Sequence, residues 1–344
     1  MKLSFNKMLT VVLSLLALTF SAIGVTSAHA APFTVTNLND SGTGSLRQAI
    51  TDANAAAGAD TITFSVTGAI TLASTLPTIT DTAGLMMDGT GQTLTISGNN
   101  AVQVMQVLAG ASLTLNNVTI ANGKGSGGGI FNSGTTTITN STFSGNSATG
   151  SFGAAINNGS GGTLTITNST FSGNSATNGF GAAIFANGGP GFTVTITNST
   201  FSGNSASGGF GAAIKNNDVA GVIVRNTIVA NSGGAGNCNG AITNGGYNLQ
   251  FGGTVANSCG ASISTGDPVL GALANNGGPT QTMALGASSA ALGKIPNASG
   301  CQQNISTDQR GVTRPQPAGT LCDIGAYEGV FAARLPGVIL MLLN

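Results

Sequence analysis

One phrase is spelled three times between residues 128 and 214. Thr135-Thr-Thr-Ile138-Thr-Asn-Ser-Thr-Phe143-Ser-Gly-Asn146 returns as Thr163-Leu-Thr-Ile166-Thr-Asn-Ser-Thr-Phe171-Ser-Gly-Asn174 and again as Thr193-Val-Thr-Ile196-Thr-Asn-Ser-Thr-Phe201-Ser-Gly-Asn204. The copies are joined by small-residue phrases ending in isoleucine: Gly127-Gly-Gly-Ile130, Gly153-Ala-Ala-Ile156, Gly181-Ala-Ala-Ile184 and Gly211-Ala-Ala-Ile214. The phenylalanines fall 28 and 30 residues apart. A repeat of that period with strand-like alternation inside it predicts a solenoid whose turns stack on one another.

The alternation sets the shape of one turn. In Thr163-Leu164-Thr165-Ile166-Thr167 apolar residues alternate with threonine, the mark of a strand with one buried face. Asn168-Ser169 reads as a corner, Thr170-Phe171-Ser172 as a second strand, Gly173-Asn174 as another corner, and Ala182-Ala-Ile184 as a third strand. The prediction is all-β: a single right-handed parallel β-helix with three short strands per coil. Rungs about 4.8 Å apart would stack Ile138, Ile166 and Ile196 in one interior column and Phe143, Phe171 and Phe201 in another. Each buried ring is worth about 2–3 kcal/mol. Asn146, Asn174 and Asn204 are expected as a ladder at a corner, where Asn tolerates left-handed backbone.

The remaining chain divides around this core. Residues 1–30 read as an export signal: Lys2 and Lys7, the apolar run from Met8 to Phe20, then Ala28-His29-Ala30 as the cleavage site. Its removal takes the only histidine and leaves eight basic against ten acidic residues, a net charge of −2. Residues 31–125 form an N-terminal cap and the first coils. Here Ser45 and Gln48 make a capping box, and Leu46, Ala49, Ile50 and Ala53 share one helical face before Gly58. Such a helix would cover the open first rung, with Arg47 paired to Asp52 or Asp60. Residues 126–236 carry the regular repeats, 237–328 a C-terminal region and 329–344 a tail. Roughly ten coils are expected, a rod about 50 Å long.

All four cysteines follow the repeats: Cys238, Cys259, Cys301 and Cys322. An even number in an exported chain reads as disulfides. Sequential pairing closes two loops of equal span, each worth about 3 kcal/mol by loop-closure entropy, and two other pairings satisfy the count as well. The apolar run Val338-Ile-Leu-Met-Leu-Leu343 is too short to span a bilayer, so no transmembrane segment is expected in the exported chain.

Three stretches resemble known families. Thr34-Val-Thr-Asn-Leu-Asn-Asp40-Ser-Gly-Thr-Gly-Ser45-Leu-Arg47-Gln-Ala-Ile50 resembles the CSLREA-type N-terminal region of exported bacterial β-helix proteins, with Gly44 in place of that motif's Cys and Gln48 in place of its Glu. Asp267-Pro-Val-Leu-Gly271, Asn276-Gly-Gly-Pro-Thr280, Thr307-Asp-Gln-Arg-Gly311 and Cys322-Asp-Ile-Gly-Ala-Tyr-Glu328 look like the choice-of-anchor Q domain, similar in architecture to pectin-lyase-like right-handed β-helices. Ser288-Ser-Ala-Ala-Leu292 lacks the Asp usual in that region. The recurring Gly-Ala-Ala-Ile and Phe-Ser-Gly-Asn phrases are similar to the repeat pair of chlamydial polymorphic outer membrane proteins, which are surface adhesins. These resemblances imply a β-helix at the cell surface or outer membrane, or secreted. They imply no particular reaction.

Charge separates the function classes. Only 6% of residues are charged, and residues 125–214 contain no Lys, Arg, Asp or Glu, which excludes a nucleic-acid surface there. Pectin-degrading relatives of this architecture need clustered carboxylates with calcium and an Arg base, or paired Asp with Gly-His-Gly. Glycosidic general acid–base chemistry needs two carboxylates about 5–10 Å apart. The early aspartates are dispersed. Asp308, Arg310, Arg314, Asp323 and Glu328 form the densest ionisable group, read as an ion-pair network that closes the fold. No cofactor or metal is expected. The outward threonines, Thr137, Thr139, Thr165, Thr167, Thr195 and Thr197 foremost, should align into a flat neutral face. They point to adhesion: a monomer contacting an extracellular glycan or a host or cell-surface receptor. The plainer account is that Thr simply suits an exposed strand. A polysaccharide lyase or glycoside hydrolase is the rival function, and ice binding through the threonine ladders a third.

Overall fold

The computed structural model describes residues 32–189, 192–218, 221–234, 236–253, 258–297, 301 and 305–330. The export signal expected at 1–30, and the apolar run at 338–343, lie outside the described residues.

Alternating Thr and Ile along the repeats produce the expected parallel stack. Nine strands from Pro32–Val35 to Ile242–Asn244 form the first sheet, with Thr135–Thr139, Thr163–Thr167 and Thr193–Thr197 adjacent within it. A second nine-stranded sheet runs from Gly68–Thr71 to Ser264–Thr265 through Thr142–Ser144, Thr170–Ser172 and Thr200–Ser202. A third sheet of six strands extends from Met105–Val107 to Cys238–Asn239. Pairing between coils is in strict register: Ile166 faces Ile138 on one side and Ile196 on the other, and Phe171 likewise faces Phe143 and Phe201. The phenylalanine rings stack at 4.8 and 4.6 Å with planes within 6° of parallel, and all three are fully buried.

Four details depart from the sequence reading. The regular coils carry a fourth short strand, Ser147–Thr149, Ser175–Thr177 and Ser205–Ala206, because Ala148, Ala176 and Ala206 are small enough to be buried at that corner. The third-sheet strand begins at isoleucine (Ile184–Ala186), so Ala182-Ala183 leads into it rather than lying within it. Arg47 bonds neither Asp52 nor Asp60. It pairs with Asp40 at 2.7 Å and donates to the carbonyls of Ser74 and Thr75, each at 2.7 Å, tying the N-terminal loop to the next coil. Stacking stops at nine strands, a sheet about 40 Å long, because the chain beyond Thr265 leaves the stack.

The corner asparagines also divide differently. Asn146, Asn174 and Asn204 are wholly buried, and the left-handed conformation belongs to the glycines before them, Gly145, Gly173 and Gly203. These side chains instead form an interior amide ladder. Asn146 Nδ2 donates to Asn174 Oδ1 at 2.9 Å, and Asn174 Nδ2 to Asn204 Oδ1 at 2.9 Å. The same amides donate to the carbonyls of Ile120, Phe143 and Phe171 in the second-sheet strands, and their oxygens accept from the corner N–H groups of Gly123, Asn146 and Asn174. The left-handed asparagines are those of the Asn-Ser-Thr corner, Asn140, Asn168 and Asn198, with φ of 50°, 47° and 48°. The serine after each passes one bond along the stack: Ser141 N donates to Ser169 Oγ and Ser169 N to Ser199 Oγ, both at 3.2 Å.

Helix α1 (Leu46–Ala55) buries Leu46, Ala49, Ile50 and Ala53 against the first two strands of the first sheet. Ser45 Oγ accepts from Gln48 N at 3.2 Å, but the Gln48 amide reaches forward to Asp52, so only half of the capping box forms.

The ladder gives a direct test. Asn174→Ala leaves several buried main-chain and amide groups without partners, for an expected loss of about 3 kcal/mol in urea denaturation. Asn187→Ala, at an exposed position of the same coil, should change stability by less than about 0.5 kcal/mol.

Candidate functional site

The six threonines singled out from sequence come together on the outer side of the first sheet. Thr137, Thr165 and Thr195 face one another in register, continued by Thr114 on one side. Thr139, Thr167 and Thr197 form the neighbouring column, and Thr135, Thr163 and Thr193 a third. Equivalent hydroxyls repeat about every 4.8 Å along the rod and about every 6.6 Å along a strand. The columns end in different residues: Met86 and Ile223 bound the first, and Asn116 and Arg225 flank the second. Accessibility is uneven. Thr137, Thr165, Thr195, Thr139 and Thr167 are half-buried, whereas Thr197 is only 7% exposed, beside Arg225 in register. Thr197 is therefore removed from the accessible face.

The C-terminal region is built against the flank of the rod. Residues Leu270–Ala274 and Thr282–Leu285 form an antiparallel pair, and Leu285, Ala291, Ile295 and Ile324 pack on Ile228, Ala230 and Leu249 of the second sheet. Cys238 is bonded to Cys259 and Cys301 to Cys322, all four buried. The contact with the regular repeats runs through the Asn-Ser-Thr corners. Gln309, 1% exposed, donates through Nε2 to Thr142 Oγ1 and Thr280 Oγ1, both at 2.9 Å, and accepts from Thr170 Oγ1 at 2.6 Å. Asn168 Nδ2 donates to Thr307 O at 2.9 Å, and Ala326 N to Thr200 Oγ1 at 3.0 Å. Gly325 has to be glycine: its φ is 102°, and a Cβ would lie 2.8 Å from both Thr200 Oγ1 and Ile228 Cδ1.

The ionisable group expected to close the fold assembles inside this region. Arg310 pairs with Asp308 at 2.6 Å and lies 3.5 Å over the Tyr327 ring. Arg314 pairs with Glu328 at 2.9 Å and also donates to the carbonyls of Asp323 and Gly325. The carboxylates are taken up by main chain: Asp308 accepts from Arg310, Val312 and Glu328 N–H groups, and Asp323 from Gly293 and Gly329. Burial pushes the Glu328 carboxyl up from 4.5 to about 7, with Arg314 pulling it back and Asp323 raising it further. Burial also raises Asp323. These groups hold loops in place.

Where the region meets the early coils it leaves a cleft of about 400 Å³ lined by Thr90, Gln92, Asn117, Asn140, Gln309 and Arg310. Its guanidinium is already committed to Asp308 and the Glu328 carbonyl, so the accessible chemistry is that of neutral amides and hydroxyls. Sequence reasoning missed this cleft and the role of Thr142, Thr170 and Thr200, because the partners lie more than a hundred residues away. The signal is the threonine repeated after Asn-Ser in all three copies, which a turn by itself does not require. Phe152, Phe180 and Phe210, each directly before Gly-Ala-Ala-Ile, were also passed over.

This geometry defines a protein of the parallel β-solenoid class, with a neutral sheet face and a braced flank. Comparison with solved structures shows a likeness in fold. Over 68% of this chain and 75% of the other, the fold is similar to the crystal structure of Jun a 1, the major allergen from cedar pollen, at 16% sequence identity and a TM-score of 0.43. No family model matches the chain, and no curated protein matches it.

Two expectations follow from the flank. Gln309→Leu leaves Thr170 Oγ1 without its acceptor and takes a donor from Thr142 and Thr280, whose hydroxyls keep the Gln281 and Asn140 carbonyls. It should destabilise the chain by about 2 kcal/mol in urea denaturation, with early proteolytic release of the C-terminal region. Because Glu328 is raised in the folded state, the proton it holds stabilises the fold fully below pH 4.5, and that contribution is lost as pH rises through 7. Between those values the wild type should lose up to about 3 kcal/mol relative to Glu328→Gln, which lacks the titration, in urea denaturation at pH 4.5 and pH 8.

Proposed function

We propose that this chain is an exported, non-catalytic β-helix that binds an extracellular glycan or surface polymer through its threonine face. One observation carries the reading: uncharged threonine columns run in register over successive parallel strands, Thr114, Thr137, Thr165 and Thr195 among them. A rigid, periodic array of hydroxyls suits a partner that is itself periodic. The order is set by main-chain pairing before contact, so little conformational entropy is lost on binding. The two disulfides fit an oxidising compartment. Among the described residues, no helix is long and apolar enough to cross a membrane.

The carboxylates speak for binding over turnover. Asp308, Asp323 and Glu328 are buried, and their oxygens accept from backbone N–H groups and arginine. A carboxylate in that state is poorly placed to move a proton on a substrate.

The test is a glycan array probed with labelled chain. The wild type should bind a defined subset of glycans, and Thr165→Tyr, which sets a ring in the middle of the face, should weaken that binding at least tenfold without altering the circular dichroism. Sustained product formation from uronic-acid polymers, with or without calcium, would replace this reading with the lyase or hydrolase.

A further inference from the structure

A recess on the third sheet belongs to none of the faces above. In each regular copy a phenylalanine precedes Gly-Ala-Ala-Ile, and these rings stay outside the solenoid. Phe152 and Phe180 are half-buried, and Phe210 is 51% exposed. Phe152 and Phe180 stack with centroids 5.5 Å apart and planes within 8°. Phe185 closes on Phe152 at 4.7 Å, while Phe210 tilts by 50° from Phe180. Phe185 comes from the outward column of the third sheet, where Phe131, Asn157, Phe185 and Lys215 follow one another in register. Together Phe131, Phe152, Phe180 and Phe185 wall a recess of about 380 Å³.

The polar lining is made of neutral side chains. Asn157 Nδ2 donates to Ser126 Oγ at 2.7 Å, and Asn217 Nδ2 to Asn187 Oδ1 at 3.0 Å. That leaves Asn187 Nδ2, Asn217 Oδ1, Asn157 Oδ1 and the Ser160 hydroxyl without a protein partner among the described residues, with Ser160, Asn187 and Asn217 at exposed positions of the rim. Among the described residues no ionisable side chain lines the recess, and Lys215, next in the column, is bonded to Asn239 Oδ1 at 2.7 Å.

Ligand sites are concave, roughly 300–1,000 Å³, apolar-walled and furnished with a few fixed polar groups. Aromatic surface held half wet in successive coils marks a contact surface rather than a core. A charged ligand would lose hydration here without meeting a counter-charge. A purely apolar ligand would leave the paired amides unused. We infer that the recess binds a neutral hexopyranose unit of a glycan, its C–H face against the phenylalanines and its hydroxyls on Asn187 and Asn217. This rests on the glycan reading above and adds to it a site and a sugar class.

Calorimetric titration of the full chain with cellohexaose, mannohexaose and chitohexaose, with hexagalacturonate as the charged counterpart, tests it. At least one neutral hexaose should bind, Phe152→Ala should weaken that binding at least tenfold, and Asn217→Ala, an exposed substitution that spares the packing, at least threefold. Thr51→Ala, an exposed substitution on helix α1 away from both surfaces, should leave it unchanged. Binding that survives both Phe152→Ala and Asn217→Ala, or tighter binding of hexagalacturonate, overturns the inference. Binding lost in Thr165→Tyr but kept in the other two overturns it while sustaining the threonine face. No binding of any glycan by the wild type overturns both.

Discussion

Main-chain pairing between successive coils, held in register over nine strands, is the constraint on which everything else depends. Once a residue's position within a coil is fixed, its neighbours along the rod are fixed too. Side chains of one kind then stack on their own kind, as in the phenylalanine column at 4.8 and 4.6 Å and the asparagine ladder at 2.9 Å. The energetic requirement passes from the single coil to the column, and so the same short phrase can recur almost unchanged. A parallel ladder gives each residue two equivalent partners, above and below, and a residue that fits one fits the other.

Corners are where this scheme is under most strain, since the backbone there cannot pair within a sheet. The chain meets the problem with three devices on two corners. Left-handed Asn or Gly makes the turn, a serine hydroxyl relays bonds between coils, and buried amides accept from corner N–H groups and donate to strand carbonyls. The serine hydroxyls and the ladder amides are polar and enclosed, so a corner that loses one of them leaves its partners unsatisfied.

Much of this was legible in the sequence and some was not, for one reason. Contacts between equivalent residues one coil apart announce themselves by repetition. Ile138, Ile166 and Ile196, the phenylalanine stack, and the apolar face of helix α1 all lie where the pattern places them. The pattern does not distinguish which asparagine takes left-handed backbone, because both corners of the repeat carry one. It is silent on Arg47 reaching Asp40, a contact made once. The docking of Gln309 onto Thr142 and Thr170 was equally hidden, since a single non-repeating residue bonds hydroxyls in two different coils. The accessible threonine face was read from alternation alone, and the burial of Thr197 shows that register does not determine exposure.

The braced flank has a further consequence for how such a chain can change. Solenoids commonly lengthen or shorten by whole turns, since each turn contacts only its neighbours. Here the C-terminal region grips three consecutive corners at Thr142, Thr170 and Thr200, through Gln309 and Ala326. It therefore acts as a gauge of fixed span. Duplication of a turn inside that stretch would shift one grip past its partner, whereas duplication before Asn132 would leave all three in place. Growth of this rod is open toward its N-terminal half and locked where the gauge is seated.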